Sequence, residues 1–382
     1  MRVTFVTNLC PHYRVRTFET LAAYHSVTYY FFSAGEEWYW QQQHGSRTGN
    51  FSYEYLRGIR LGRTRITPTL VSKLLLKPTD VFVKCINGRF ALPVTYLIAR
   101  LRKKPFVLWT GIWTTLQTPF HRVIFPLTRY IYSHADAVVV YGEHVKKYLL
   151  SQGVAQEKIF VAAHAVDNPR YSIVVSEVER QRLRDKLSIG PDQRVVLYVG
   201  RLEPNKGLQY LIDAFHQVKS DNIVLVLAGD GAEKKQLQER VASLGMTPKA
   251  RFANYVAPEE TPPYYSLAYV LVLPSITTTI GKETWGLVVN EAMNQGCPVV
   301  ATDAVGAAAG GLVNDNINGL VVPERDPGAL TAALQRLLDQ PDLRQRMSQN
   351  SRETVADWDN EHMVLGFRKA LEHVMGKSVT DS

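Results

Sequence analysis

Two glutamates stand eight positions apart in the segment GKETWGLVVNEAMNQGCPVV, residues 281–300. Glu283 falls in the loop that begins the segment, and the apolar run 287–293 predicts a helix. Glu291 should project from that helix about one to two turns in. Two carboxylates so placed can accept hydrogen bonds from the hydroxyl groups of a ligand. The alternative is an ordinary amphipathic helix whose two acids are solvated.

The same segment predicts a binding position for a phosphate. Trp285 and Gly286 form a turn that exposes backbone amides, and Leu287 opens the helix. The first N–H groups of a helix have no partner within it, so an anion is stabilised there. A phosphate at this point, with hydroxyl groups near Glu283 and Glu291, fits a nucleotide-sugar.

A second loop offers positive charge to such a ligand. The apolar run Val195–Val199 predicts a strand, and GRLEPNKG follows it at residues 200–207. Its Arg201 and Lys206 lie beyond the carboxyl end of a strand, where ligands bind in open α/β sheets. Glycines in the loop let the backbone approach a ligand, so Arg201 and Lys206 are candidates for a diphosphate clamp.

Composition limits the class of protein. A chain of 382 residues is longer than a typical single domain, so two domains are predicted. A hydrophobic fraction of 46% with 21% charged residues is that of a globular protein. Three cysteines, Cys10, Cys85 and Cys297, are far apart and predict packing residues in a reducing cytosol. The start, MRVTFVTN, reads as a strand and not as a secretory signal.

The two halves of the chain differ in charge. Residues 1–170 hold 22 basic and 9 acidic residues, which leaves 22 basic and 26 acidic residues for the rest. A basic half beside an acidic one indicates a partner with an anionic surface. No nucleic-acid motif accompanies the charge, so an anionic membrane leaflet is favoured over nucleic acid.

Alternating strands and helices predict a parallel sheet in the first half. The loop after the first strand lacks GxGxxG, which argues against a nicotinamide enzyme. His12 and Arg14 in that loop are expected to face a cleft, as is Trp109 at the start of the loop 109–113, after a strand predicted over 105–108.

Two stretches of the first half are candidates for acceptor or membrane contact. Trp38 and Trp40 lie in a segment rich in aromatic and amide residues, a composition that recurs on sugar-stacking surfaces. Residues 57–78 combine four arginines in nine positions with an apolar run between Lys73 and Lys77. That combination is typical of an interfacial segment, and the alternative is a surface helix that packs inward.

The second half carries further motifs in a fixed order. Strands and helices continue to alternate as far as the helix predicted over residues 341–354. A flexible loop is expected at Gly306–Gly311. The motifs are GRLEPNKG, AGDG, FANYV, YYSLAYVLVLPS, ETWGLVVNE, EAMNQGCPVVATD and NINGLVV. In this order and spacing the chain resembles the retaining glycosyltransferases of family 4, densely over residues 195–335 and more weakly over 1–170, where the PHYRV loop agrees.

The resemblance implies an α/β fold of the GT-B type, two facing Rossmann-like doubly wound parallel-sheet domains with a cleft between them. The acceptor-side domain would span residues 1–168 and the nucleotide-sugar domain residues 169–355. The segment 356–382 would form a helix that crosses back to the first domain.

Roles for individual residues also follow from the resemblance. Arg201 and Lys206 would hold the diphosphate, Glu283 the donor sugar and Glu291 the ribose. The backbone at Trp285, Gly286 and Leu287 would assist the phosphates. The residues expected beside the base are Tyr255, Val256 and Asp230.

The implied enzyme is a cytosolic, membrane-associated hexosyltransferase for polysaccharide or glycoconjugate synthesis that needs no metal or other cofactor. Its partners would be a nucleotide-sugar, a glycan or lipid-linked acceptor and the inner face of a membrane. The alternatives are a nucleotide-sugar 2-epimerase of the same fold and a nucleic-acid-binding module.

Two features depart from the family pattern. Many members carry a histidine in the loop that is WTGIW here, so His121 or His12 substitutes or the role is absent. The stretch SITTTIGK before Glu283 resembles an insertion that would shape the sugar pocket.

Overall fold

The computed structural model describes residues 1–33 and 49–376. Trp38 and Trp40, the candidates for sugar stacking, lie outside the described residues. Within them the chain divides into two units. The first contains Met1–Trp113, Pro119–His164 and the C-terminal helix, and the second contains Thr114–Thr118 and Ala165–Asp359.

The first unit is built on a parallel sheet of seven strands in its described part. Its order is β3-β2-β1-β6-β7-β8-β9, and a separate antiparallel hairpin pairs β4 with β5. Most strands are continuous buried runs, because helices of parallel sheets cover both faces. The strands are β1 (Arg2–Thr7), β2 (Ser26–Phe31), β3 (Ser52–Tyr55), β4 (Ile59–Leu61), β5 (Thr64–Ile66), β6 (Val81–Cys85), β7 (Phe106–Thr110), β8 (Ala137–Val140) and β9 (Ile159–Val161).

The helices of the first unit include one from the end of the chain. They are α1 (Val15–Tyr24), α2 (Pro68–Leu76), α3 (Ala91–Leu101), α4 (Pro119–His134), α5 (Glu143–Ser151) and α15 (Asn360–Val374). Helix α15 packs on α1, where Thr17 Oγ1 donates to Asn360 Oδ1 at 2.6 Å. It also packs on β9, since a Cβ built on Gly366 would lie 2.2 Å from the Val161 carbonyl oxygen.

The second unit has a parallel sheet of six strands within the described residues, in the order β12-β11-β10-β13-β14-β15. The strands are β10 (Arg194–Val199), β11 (Ile223–Ala228), β12 (Ala250–Asn254), β13 (Ala268–Leu273), β14 (Val299–Thr302) and β15 (Gly319–Val322). The helices are α6 (Asn168–Tyr171), α7 (Glu177–Lys186), α8 (Leu208–Gln217), α9 (Lys234–Ser243), α10 (Thr261–Leu267), α11 (Val288–Asn294), α12 (Gly306–Ala309), α13 (Pro327–Asp339) and α14 (Pro341–Ala356). Both units are doubly wound parallel α/β sheets, as the strand and helix alternation predicts.

The strand order of the second sheet reverses between β10 and β13. Strands β11 and β12 extend the sheet from β10 in one direction, and β14 and β15 extend it from β13 in the other. The loops after β10 and β13 therefore lie side by side at the point of reversal on the carboxyl edge, where open α/β sheets bind ligands. The loop 200–207 follows β10 and the loop that holds Glu283 follows β13.

Candidate active site

Lys206 and Glu283 form an ion pair at the strand-order reversal of the second sheet. Lys206 ends a 3₁₀ turn (Pro204–Lys206) after β10, and its Nζ donates to Glu283 Oε2. Ser275, two residues beyond β13, donates from Oγ to the same carboxylate oxygen at 3.2 Å. The side chains of Lys206 and Glu283 are only 12% and 15% exposed. The sequence assigned these two residues to different groups of a ligand, and the structure brings them together.

The two loops that carry the pair are joined through their backbones. Gly207 adopts φ +64°, and a Cβ there would lie 2.2 Å from the Pro274 carbonyl oxygen. A side chain is excluded by both the left-handed conformation and this contact. Next to it, the Ile276 amide donates to the Asn205 carbonyl at 2.9 Å. The close contact between the two loops fixes the position of Lys206 relative to the loop after β13.

Helix α12 supports the segment that holds Glu283. The sequence analysis predicted a flexible loop at Gly306–Gly311, and this is wrong, because residues 306–309 form a helix. The amides of Gly306 and Ala307 donate to the carbonyls of Glu283 at 3.0 Å and Trp285 at 2.8 Å. A Cβ at Gly306 would lie 2.2 Å from the Thr284 carbonyl oxygen, so glycine allows the close docking.

Glu283 is held as a carboxylate. Burial by itself raises the pKa of Glu283, but the Lys206 ammonium and its hydrogen bond, Arg201 and the Ser275 hydroxyl together hold the pKa below its usual range. Arg201 is itself exposed and lies close enough to contribute to this field. The three charged residues predicted from sequence thus form one electrostatic group.

Glu291 has the opposite environment. It lies on α11, is 8% exposed, and accepts a hydrogen bond from Tyr265 Oη at 2.6 Å. Burial raises its pKa, and the hydrogen bond from Tyr265, together with Tyr171 and the charge of Arg170, offsets only part of that rise. The carboxyl is therefore positioned but not paired with a neighbouring cation at salt-bridge distance among the described residues.

The turn between the two acids is anchored by its indole. Helix α11 begins at Val288, one residue after the predicted start. The Trp285 side chain is buried, stacks on Trp358 with ring centroids 5.4 Å apart, and donates from Nε1 to Asn290 at 2.8 Å. Gly286 adopts φ +93°, and the assignment of its backbone, with that of Trp285 and Leu287, to a phosphate stays a prediction.

The residues predicted beside a base lie on the neighbouring loops of the same edge. Asp230 follows β11, and its carbonyl accepts the Leu202 amide at 2.9 Å, which ties it to the loop of Arg201. Tyr255 and Val256 directly follow β12 and are both partly exposed. All three belong to the unit that holds Lys206 and Glu283.

Two predictions for the first unit need correction. Trp109 is not in a loop, because β7 runs through Thr110 and the indole is fully buried. Arg14 is also buried, with its guanidinium 3.9 Å from the Trp109 ring centroid and its Nη2 donating to Tyr141 Oη at 2.7 Å. Arg14 therefore joins strand β7 and the loop after β1 in one aromatic cluster. His12 begins the same 3₁₀ turn (His12–Arg14) and is partly exposed and edge-on to the ring of Tyr13.

The histidines proposed as substitutes stay predictions. His12 belongs to the 3₁₀ turn after β1, and His121 belongs to helix α4. Burial and, to a lesser extent, the charge of Arg89 lower the pKa of His121, so its ring is neutral near neutral pH.

Sequence reasoning missed a buried lysine at the carboxyl end of β6. Lys84 is fully buried, and its Nζ donates to the carbonyl of Cys85 at 2.5 Å and to that of Asn87 at 2.7 Å. Burial lowers the pKa of Lys84 to about 7. Asn87 in turn donates to Asn8 at 2.8 Å, which joins the loops after β1 and β6. The sequence does contain a sign of this residue, because a lysine interrupts the otherwise apolar run VFVKC.

Tyr265 and Ser275, which hold the two glutamates, were also missed as site residues. Ser275 could have been found, since it is the first hydroxyl beyond the carboxyl end of a predicted strand. Tyr265 could not, because its contact with Glu291 joins α10 to α11 and depends on how these helices pack.

Comparison with known proteins finds a family match in the part of the chain that holds the candidate site. Residues 179–354 match the family model described as glycosyl transferases group 1. The alpha-D-kanosaminyltransferase of Streptomyces kanamyceticus is 28% identical over 282 residues, which cover 71% of both chains. The D-inositol 3-phosphate glycosyltransferase of Geodermatophilus obscurus is 28% identical over 267 residues, 65% of this chain but only 56% of that protein.

A solved structure extends the likeness to the whole chain. Anabaena HepE in complex with UDP has a TM-score of 0.79 and covers 97% of this chain and 100% of its own, at 20% identity. The same protein in complex with UDP-glucose gives a TM-score of 0.76. The predicted GT-B fold is confirmed by this likeness.

The opposite environments of the two glutamates predict opposite effects on stability. Glu283→Gln should lower the free energy of unfolding at pH 7 by about 3 kcal/mol, because it leaves the buried Lys206 charge unpaired. Glu291→Gln should leave stability unchanged or raise it by up to about 1 kcal/mol, because it removes a poorly solvated charge. Urea unfolding of the two isosteric variants measures both.

The pH dependence should separate the two effects. The depressed pKa of Glu283 contributes stability above the unfolded-state pKa, and this is lost as pH falls through the folded value. The deficit of Glu283→Gln should therefore shrink in acid. The raised pKa of Glu291 means that wild type becomes neutral there as pH falls, so any gain of Glu291→Gln should also vanish. A larger loss in Glu291→Gln than in Glu283→Gln would contradict these assignments.

Proposed function

We propose that this chain, whose residues 179–354 match the family model of the group 1 glycosyltransferases, transfers a hexose from a nucleoside-diphosphate sugar to a glycan or lipid-linked acceptor, with retention of anomeric configuration. The observation that carries the proposal is the buried Lys206–Glu283 pair at the strand-order reversal of the second sheet. It combines a cation for a diphosphate with a carboxylate for sugar hydroxyls.

Lys206 and Arg201 are assigned to the diphosphate. A lysine ammonium has three N–H donors, and Glu283 takes one of them, so two remain for phosphate oxygens. A glycosyl–phosphate bond breaks with oxocarbenium character, so stabilising the departing diphosphate is the largest demand on the enzyme. Two cations and the backbone at Gly286 and Leu287 meet that demand without a metal ion.

Glu283 is assigned to hydroxyl groups of the donor sugar. Its depressed pKa and its contacts with Lys206 and Ser275 suit a fixed hydrogen-bond acceptor rather than a proton carrier. In the proposed reaction the acceptor attacks on the face from which the diphosphate leaves. Configuration is then retained without a protein nucleophile.

The remaining residues of the second unit are assigned to the nucleoside. Glu291 would accept hydrogen bonds from the ribose, and burial raises the pKa of this carboxyl. Asp230, Tyr255 and Val256 would lie beside the base. The UDP and UDP-glucose bound by HepE support a nucleotide-sugar as the donor class.

The other candidate functions have weaker support. A 2-epimerase requires paired acid and base carboxylates, whereas Glu283 is tied to Lys206 and Glu291 to Tyr265. A nucleic-acid-binding module would explain the basic first half but leaves this pair and Arg201 without a role.

The central test is donor binding by a variant of Lys206. Lys206→Met should abolish the thermal stabilisation that a panel of nucleotide-sugars gives to the wild type, and it should lower kcat/KM for transfer by about 10²–10³. Lys235→Met is the matched control, because Lys235 is exposed on α9 of the same unit. Wild-type donor binding in Lys206→Met would refute the assignment of the diphosphate site.

We also propose that the first unit contacts the inner, cytoplasmic face of an anionic membrane. Its hairpin β4–β5 exposes Ile59 and Leu61 beside arginines, and α2 exposes Leu76 (81%) next to Lys77. The inward-packing alternative for α2 describes its other face, where Leu70 and Leu74 are buried. Among the described residues, no helix has the length and apolar character needed to span a bilayer.

Liposome flotation tests this contact. A basic residue near an anionic surface contributes about 1 kcal/mol, so the double variant Arg60→Gln/Lys77→Gln should weaken binding about 30-fold. The wild type should float with vesicles that contain phosphatidylserine and not with phosphatidylcholine alone. Lys219→Gln/Lys235→Gln on the second unit is the charge-matched control. Equal flotation of both double variants would argue against a surface at residues 57–78.

A further inference from the structure

The second unit contains a cavity that shares no residue with the Lys206–Glu283 pair. It measures about 340 Å³, within the usual size of small-molecule sites. The segment Ser172–Val175 forms one wall, and the other walls come from α7, α10, the end of α11 and α14. None of the lining residues in the described chain is acidic.

Three guanidinium groups line this cavity, and they come from two helices. Arg180 on α7 is paired with Glu177 at 2.5 Å. Arg344 and Arg352 on α14 have no such partner, because within the described residues their side chains donate only to backbone carbonyls and a serine hydroxyl. Two positive charges in a concave wall are therefore not neutralised by a neighbouring carboxylate.

The arginines also have a structural role, which uses only part of their donors. Arg344 Nε donates to the Tyr269 carbonyl at 3.2 Å, and Arg352 Nη2 donates to the Gln295 carbonyl at 2.9 Å. A guanidinium carries five N–H donors. The Nη1 group of Arg344 has no acceptor among the described residues. These contacts orient the guanidinium groups and leave donors for a ligand.

We propose that this cavity binds a phosphate group of a small molecule. Planar guanidinium groups match phosphate oxygens in geometry and charge, and a recessed wall screens them less than open solvent does. The exposed side chains of Ile173 and Val174 at the rim would contact the organic part of the ligand. This site is separate from the proposed donor diphosphate site and does not depend on it.

The cavity is nevertheless one side chain away from the nucleoside site. Tyr265 lines the cavity and donates its hydroxyl to Glu291. Asn294 also lines it, and its Nδ2 donates to the Asn290 carbonyl on the helix of Glu291 at 2.9 Å. An occupant would therefore contact the two side chains that fix α11 and the Glu291 carboxyl.

Calorimetric titration of the full chain with inorganic pyrophosphate tests the proposal. Ser172→Glu adds a negative charge to the wall and removes no side-chain hydrogen bond found in the described chain. At low ionic strength it should weaken pyrophosphate binding about tenfold, the effect of one charge at this range. Ser243→Glu, exposed on α9 outside the cavity, is the matched control.

Lys206→Met separates this site from the donor site. Pyrophosphate binding that survives in Lys206→Met but is weakened by Ser172→Glu supports the cavity. Binding that Lys206→Met removes and Ser172→Glu leaves intact would overturn it, as would no binding at all. If Ser172→Glu unfolds the protein, Val174→Glu, whose side chain is almost fully exposed, supplies the same charge at the rim.

Discussion

The contact between the Lys206 ammonium and the Glu283 carboxylate is the interaction on which the second unit's site depends. Removing two charges from water is costly, and the cost is recovered only with good geometry and further hydrogen bonds. Here the geometry comes from the reversal in strand order between β10 and β13, the glycine at 207 and the hydroxyl of Ser275. The pair lies at the edge where open α/β sheets bind ligands, and in the proposed function it would hold its groups in place before the nucleotide-sugar binds.

The two glutamates of the segment 281–300 show how one chain gives the same side chain two chemistries. Glu283 is neutralised by a lysine and kept ionised, so its hydrogen-bonding character does not change across the neutral range. Glu291 is buried, and burial raises its pKa by more than Tyr265, Tyr171 and the charge of Arg170 lower it. The ribose contact proposed for Glu291 would give this carboxyl further hydrogen bonds.

Much of the fold could be predicted from the sequence, because buried parallel strands are apolar runs and the turns between them contain glycine. The loop of Lys206 was recognisable because it follows directly on a strand, and the segment of Glu283 was recognisable from the spacing of its two glutamates around an apolar run. The burial of Arg14 and Trp109 was not predicted, because an arginine beside aromatic residues suggests an exposed site. Stacking of the Arg14 guanidinium on the Trp109 ring allows both to be buried. The short helix at Gly306 has too little local signal, and its docking on residues 283–285 is a tertiary effect.

The most direct test of the account follows the fate of the donor sugar. Time-resolved proton NMR of the wild type with the nucleotide-sugar that stabilises it most should show loss of the donor anomeric signal. The first-formed product should keep the anomeric configuration of the donor, and Lys206→Met should show neither signal change. Turnover with inverted configuration, or turnover that persists without Lys206, would contradict a retaining transfer that depends on this ion pair.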